Sequence, residues 1–225
     1  MTVTTDKTLL RDAATVLLVR GKGTDARVLM GQRGAQAAFM PDKFVFPGGA
    51  LDGGDALVPL ARPLPAACAA RLKQGHVAPD ALAAAAIREL WEETGLMLGL
   101  PGAWPHPPPP DWQQFAARGL LPNAAALRYI FRAITPPGRP RRFDARFFLA
   151  DAEAIAGDPD DFSQACEELS HLHWVPLNEA RRLNLPFITE VVLAEAQAHL
   201  SGEDMAPSVP FFDNATPESI FRRIP

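Results

Sequence analysis

Nine consecutive residues, Arg88-Glu89-Leu90-Trp91-Glu92-Glu93-Thr94-Gly95-Leu96, carry the densest chemical signal in the chain. On a helix, Glu89, Glu92 and Glu93 stand at i, i+3 and i+4, so three carboxylates share one face. Like charges so placed repel, by ~0.2–0.5 kcal/mol per pair on an exposed helix. Arg88 can pair with Glu92 at i+4, but one arginine does not neutralise three glutamates. A hard divalent cation does, because Mg²⁺ prefers carboxylate oxygen and keeps coordination positions for water and phosphate. Leu82, Ala86 and Leu90 give the same helix an apolar stripe to bury. A glutamate pair on an alanine-rich helix would, by itself, read as an ordinary solvated face.

The wider pattern changes that reading. The nine residues match the end of the Nudix box, whose form is Gly, five residues, Glu, seven residues, then Arg-Glu-aliphatic-x-Glu-Glu-x-Gly-aliphatic. Pro47-Gly48-Gly49, following Phe44-Val45-Phe46, resembles the family's entry turn. Asp80, eight residues before Arg88, stands where the pattern has its first Glu, and residues 50–79 then form an insertion between turn and helix. Long insertions of this kind add little closure entropy, since each doubling of a loop costs only ~0.6 kcal/mol. The chain further resembles a subgroup typified by peroxisomal coenzyme A diphosphatases. The matching residues are Phe39-Met40-Pro41 before the turn, Ile134-Thr135-Pro136, Arg141-Arg142-Phe143-Asp144 and Phe147-Phe148. The sequence ends in Arg222-Arg223-Ile224-Pro225, which is not a peroxisomal address.

The resemblance implies hydrolysis of a nucleoside diphosphate linked to a second group, assisted by Mg²⁺ or Mn²⁺. Coenzyme A or an acyl derivative is the expected substrate, giving 3′,5′-ADP and 4′-phosphopantetheine. ADP-ribose, NADH or a dinucleoside polyphosphate is the same-class alternative, and a non-catalytic nucleotide-binding regulator is the alternative of another class. Glu89, Glu92 and Glu93 would hold metal, with Arg88 orienting them. Glu168, six residues before Trp174, best matches a further glutamate that binds metal or acts as base, with Glu167 its neighbour and rival. Arg139, Arg141, Arg142 and Arg146 form a local cationic cluster suited to phosphate, and Arg33 is a further candidate. Phe46, Tyr129 and Phe131 are the candidates for stacking on a base. His171 and His173 alternate along a strand and read as a half-buried face rather than a metal site.

These residues need a frame. Strands are expected at Ala13–Val19 and Arg27–Met30, joined by a turn containing Gly21, Gly23 and Asp25, and then at Phe44–Phe46. Further strands are expected at Leu127–Thr135, Ala145–Ala150 and His171–Val175. Helices are expected at Pro65–Gln74, Asp80–Thr94 with Asp80 as N-cap and Gly95 as stop, Asp111–Arg118, Leu177–Leu183 and Ile188–Leu200. Residues 202–225 show little periodicity and read as an extended arm. Pro101–Pro110 reads as a stiff surface loop; a partner-recruiting polyproline segment is the weaker account of its four consecutive prolines. The sum is an α/β (α+β) sandwich, a mixed sheet between helices, expected as one domain over residues 1–225 with insertions at 50–79 and 101–126.

Composition excludes several classes. The chain has 225 residues, a net charge of −4, 48% hydrophobic and 21% charged residues, which fits a globular fold and not a disordered one. No basic footprint points to nucleic acid or an anionic membrane surface. The apolar run Ala13–Val19 is too short to cross a bilayer, and Asp6 and Asp12 before it fit a signal peptide poorly. Cys68 and Cys166 lack partner motifs and read as buried small hydrophobes in a reducing, cytoplasmic setting. The partner expected is a small nucleotide substrate, with a homodimer left open.

Overall fold

The computed structural model describes residues 9–37, 40–202 and 208–225. Eleven strands run in chain order among these residues. They are β1 (Leu10–Arg20), β2 (Arg27–Arg33), β3 (Phe44–Val45), β4 (Gly48–Ala50), β5 (Gly99–Pro101) and β6 (Leu120–Pro122). The others are β7 (Arg128–Ile134), β8 (Arg142–Asp151), β9 (Leu169–Pro176), β10 (Val209–Asp213) and β11 (Ile220–Ile224). The helices are α1 (Ala66–Leu72), α2 (Pro79–Thr94), α3 (Gln113–Ala117) and α4 (Phe187–Ser201).

Nine of the strands join one mixed sheet, in the order β11-β10-β7-β8-β1-β2-β3, with β4 also pairing β1 and β9 also pairing β2. Strand β1 is its centre. It runs parallel to β8 from Leu10↔Arg142 to Val19↔Asp151, and its other side is shared by β2 and β4. Both faces of β1 are covered, which is why Ala13–Val19 reads as a nearly continuous apolar run rather than an alternating one. Ala14, Val16 and Leu18 face a core layer with α2, whereas Leu17 and Val19 face a second layer with α4. The expected mixed sheet between helices is therefore the observed architecture.

Helix α2 follows its sequence closely. The run Ala83–Ala86 is fully buried, which lets the helix backbone lie close on the sheet. Gly95 ends it at φ 78°, a left-handed conformation that glycine adopts at no steric cost, and its N–H donates to the Trp91 carbonyl. The start differs from expectation. Ala78 is the N-cap, Pro79 opens the helix, and Asp80 lies within the first turn, where a negative charge suits the helix dipole.

Other elements also depart from the sequence reading. Leu177–Leu183 forms no α-helix, only a single 3₁₀ turn at Ala180–Arg182 after β9. The C-terminal arm is two paired strands, β10 and β11, with Val209 and Phe211 turned into the core. Their length of five residues each leaves too few alternations to stand out in the sequence. Pro47-Gly48-Gly49 does not simply end a strand, because Gly48–Ala50 pairs antiparallel with β1. The insertion at 101–126 begins and ends in the small β5–β6 pair, which closes residues 102–119 into a loop. Cys68 is buried as expected; Cys166 is exposed, in the connector that crosses the end of α2.

One face of the sheet carries a row of side chains across five strands, Arg222-Phe211-Arg132-Arg146-Ala14, in register. Arg132 and Arg222 both lie over the Phe211 ring, at 4.3 and 4.6 Å from its centroid. Asp144 joins Arg132 and Arg146, and Asp12 takes a further bond from Arg146. Asp144 is 3% exposed and Arg146 2%, so the aspartate is what allows two guanidinium groups to be buried side by side. Removing it, in Asp144→Ala, should destabilise the protein by about 3–5 kcal/mol in urea unfolding, because Arg132 then loses its carboxylate and Arg146 keeps Asp12 alone.

Candidate active site

The site is organised around Arg88, whose side chain is 3% exposed. Its Nε and Nη2 donate to the two carboxylate oxygens of Asp55 at 2.9 and 3.0 Å, a fork-to-fork pair. Nη2 also donates to the Ala50 carbonyl at 3.0 Å. Nη1 donates to Glu89 and to Glu92, both at 2.9 Å. One guanidinium thus ties the turn after β4 to two of the three helix glutamates.

Asp55 is the residue that counting from the helix end overlooks. It is six positions after Gly49, as the box's first carboxylate should be, and it is 2% exposed beneath Arg88. The insertion therefore falls between Asp55 and Arg88, within residues 56–87, and not between the turn and Asp80. Asp80 sits at the opposite end of α2 from the glutamates and takes no part. The carboxylate had been expected at the wrong end of the inserted loop.

Two glycines let the turn approach the helix. A Cβ on Gly49 would stand 2.5 Å from the Glu89 carboxylate, and one on Gly48 would meet Thr15 and the Ala14 carbonyl at 2.5–2.7 Å. With no side chain there, the Gly48 N–H reaches Glu93 at 2.7 Å. Glu93 is 2% exposed, and burial together with the neighbouring Glu89 charge holds its carboxyl well above the ordinary range. Burial likewise lifts Glu89 to about 7, against the opposing pull of Arg88. Glu92, more exposed, is raised by its partial burial and by Asp111.

Glu168 arrives on the connector into β9 and accepts from Arg33 Nη2 at 2.8 Å. Its charge adds to the burial that raises Glu89 and Glu93. Glu167 is exposed next to it. Arg33 lies at the end of β2 with its Nε buried and without a hydrogen-bond partner. The structure brings Arg33, Arg88, Glu89, Glu92, Glu93 and Glu168 together.

Other candidates lie elsewhere. Arg142 spends its donors on the carbonyls of Thr135, Asn214 and Ala215, tying β8 to the C-terminal arm instead of facing a ligand. Arg146 belongs to the buried Asp12–Asp144 network. Arg139 and Arg141 are exposed on the β7–β8 loop. Phe46, Tyr129 and Phe131 are 4%, 3% and 1% exposed and packed in the two core layers, so none offers a face to a base. A strand covered on both sides buries its aromatics whichever way they point. Trp91 is core, as expected, at 6% exposure. Phe39 lies outside the described residues. His171, at φ 51°, and His173 sit at an irregularity in the β2–β9 pairing and line an open depression of about 500 Å³ with Gln32, Phe44 and Leu172.

Among the described residues no three carboxylate, histidine or cysteine side chains form a ready-made metal cage. The carboxylates instead hold Arg88, Arg33 and the Gly48 N–H. The donor set nevertheless fits a hard divalent cation, being all carboxylate oxygen and short of positive charge. Glu89 binds more protons in the folded chain than in the unfolded one between pH 4.5 and 7. Stability from this group is therefore full below pH 4.5 and is lost as pH rises through 7. Without metal, Glu89→Gln should match the parent's stability at pH 4 and exceed it by roughly 3 kcal/mol at pH 8 in chemical unfolding. Asp55→Ala should lower stability by about 3 kcal/mol or more by stranding Arg88, whereas Asp80→Ala should stay within about 0.5 kcal/mol of the parent in the same assay.

No family model matches the chain. A Nudix hydrolase structure from Alicyclobacillus acidocaldarius is 32% identical, with a TM-score of 0.63, over 83% of this chain and 90% of that one. The complex of a C. elegans Ap4A hydrolase shares the fold at 16% identity and a TM-score of 0.50, over 86% of this chain and 99% of that one. Among curated proteins, an acyl-coenzyme A diphosphatase of Gallus gallus is 28% identical over 76% of this chain, and a Caenorhabditis elegans protein bearing the name nudix hydrolase 7 is 29% identical over 75%. The chain spans 62% and 52% of those two relatives, respectively. With nine-tenths of a solved Nudix hydrolase covered at that identity, and the box folded around Arg88, this chain belongs to the Nudix hydrolase superfamily.

Proposed function

We propose that the protein hydrolyses the diphosphate of a nucleoside diphosphate derivative, with coenzyme A or an acyl-coenzyme A as substrate, releasing 3′,5′-ADP and the (acyl-)4′-phosphopantetheine. The observation that carries the reading is the trio Glu89, Glu92 and Glu93, all raised by burial, the first two held by Arg88 and the third by the Gly48 N–H. These four glutamates would hold Mg²⁺ or Mn²⁺. Such an ion, when bound, supplies Lewis acidity toward phosphoryl oxygens and toward water.

The chain's own residues do the positioning. Arg88 holds Glu89 and Glu92 at fixed places from within the protein, acting on substrate only through them. The Gly48 N–H fixes Glu93. Glu168 is about half exposed and tethered by Arg33, so its carboxylate can take a proton from an attacking water. Arg33, which tethers Glu168, is the cation nearest those glutamates for a substrate phosphate, and Arg141, exposed beside Arg139 on the β7–β8 loop, is left for a more distant one. The Gallus gallus relative and the matching residues around Pro47 and Arg141 support the choice of coenzyme A over ADP-ribose, NADH or a dinucleoside polyphosphate. All three box glutamates are present, which favours catalysis over a regulator that only binds nucleotide.

Mass spectrometry of products, with Mg²⁺ or Mn²⁺ and a panel of these substrates, tests the reading. We expect 3′,5′-ADP and 4′-phosphopantetheine from coenzyme A, and a drop in kcat of about 10²–10³-fold in Glu92→Gln, as for loss of one charged group at a reacting phosphate. Turnover of ADP-ribose or NADH alone would replace the substrate and keep the chemistry. Unchanged hydrolysis in Glu92→Gln would overturn the catalytic assignment.

A further inference from the structure

The loop between β5 and β6 is built onto the helix that carries the glutamates. Phe115, fully buried, meets Trp91 edge-on at 6.4 Å, and Trp112 packs on Phe115 at 5.2 Å. Trp104 packs on Trp112 at 5.9 Å and donates its Nε1–H to the Leu120 carbonyl at 2.8 Å. Pro109 lies near the turn that carries Asp55, where a Cβ on Gly54 would stand 3.4 Å from it. The loop is thus fixed at two points, one residue from Glu92 and one residue from Asp55.

Between this loop and α2 lies a cleft of about 290 Å³. Pro110, Asp111 and Gln114 form one side, Trp91 and Glu92 the other, and Gln164 the end. The cleft opens directly on the glutamates. Glu92 belongs to both, and the connector through Cys166, whose N–H donates to the Glu92 carbonyl at 3.0 Å, runs on to Glu168. Among the described residues lining it none is basic, and two are carboxylates. A phosphate is repelled there. Two side-chain amides, each both donor and acceptor, suit a neutral chain of amides, and Trp91 and Pro110 supply apolar surface. Neither Arg33, which holds Glu168, nor Arg88, which holds Glu92 from within the protein, lines it.

We propose, resting on the function proposed above, that the β5–β6 loop is a specificity wall whose cleft receives the uncharged, amide-bearing arm of the substrate, with Gln114 and Gln164 as its hydrogen-bond partners. The nucleotide half of the substrate then lies on the Arg33 side of the scissile diphosphate.

Product inhibition separates the two halves. Gln114 and Gln164 are both exposed, so substitution leaves the core intact. In the parent protein, release of 3′,5′-ADP from coenzyme A is read first; its absence would overturn the function and this inference with it. Given that release, Gln114→Trp, which fills the cleft, and Gln164→Ala should each weaken inhibition by 4′-phosphopantetheine about tenfold and leave inhibition by 3′,5′-ADP unchanged. Equal effects on both products, an effect on 3′,5′-ADP alone, or no effect on either would overturn the cleft assignment while hydrolysis of coenzyme A still stood.

Discussion

A single buried guanidinium is the constraint on which the rest of this structure depends. Arg88 makes five hydrogen bonds, and each partner comes from a feature that had to be brought there: the Asp55 turn, the Ala50 carbonyl at the end of β4, and two successive glutamates on α2. Those bonds need a planar fork with donors along three edges. An ammonium on the same stem could not reach Asp55 in a bidentate pair while also holding Glu89 and Glu92. Desolvating an arginine is expensive, and here its partners more than compensate, so the group stays charged. The position of α2 against the sheet follows, because β4, paired with β1, can lie under α2 only with Gly49 beneath Glu89.

Much of this was legible in the sequence because the relevant signals are local. The spacing of Glu89, Glu92 and Glu93 sets a helix face whatever surrounds it, and Gly95 ends that helix by its own backbone freedom. The apolar run at Ala13–Val19 could be read as a central strand for the same reason. Asp55 shows where local reading stops. Two acids each satisfied half of a spaced pattern, Asp55 measured from Gly49 and Asp80 measured from Arg88, and an insertion can lie on either side of the conserved-type carboxylate. Only the salt bridge, a contact between residues 33 apart, decides between them. Phe46, Tyr129 and Phe131 escaped for a related reason: in a sheet covered on both faces, alternation does not distinguish an aromatic that faces a ligand from one that faces the core. The arginine cluster looked like one unit because its members are close in sequence. On β8 and its loop they part company, Arg146 into a buried network, Arg142 onto the C-terminal arm, and Arg141 into solvent.

The two insertions also make physical sense together. Residues 56–78 interrupt the box between its turn and its helix, which leaves the Asp55 turn without the short tether that the uninterrupted pattern would supply. A free turn there would let Arg88 lose its bidentate partner. The second insertion supplies a brace, with Pro109 against Gly54 and Phe115 against Trp91. A buried aromatic chain of Trp104, Trp112 and Phe115 is stiff, and proline before it removes backbone freedom, so the brace costs little entropy to hold. In this chain the loop that walls the cleft and the loop that completes the box are therefore one packed unit.

The protonation of the glutamates follows from the same geometry. Around Arg88 the folded chain gathers Asp55, Glu89 and Glu92, with Gly48 holding Glu93 and Arg33 holding Glu168. Left to itself, such an arrangement relaxes by taking up protons, which is what the raised Glu89 and Glu93 carboxyls express. A fold selected for stability alone would place glutamine or an apolar residue at these positions, since charges buried short of partners work against folding. A divalent cation held there, as proposed above, would complete the charge balance. The deficit of positive charge, more than the match to any pattern, is the physical content of the site.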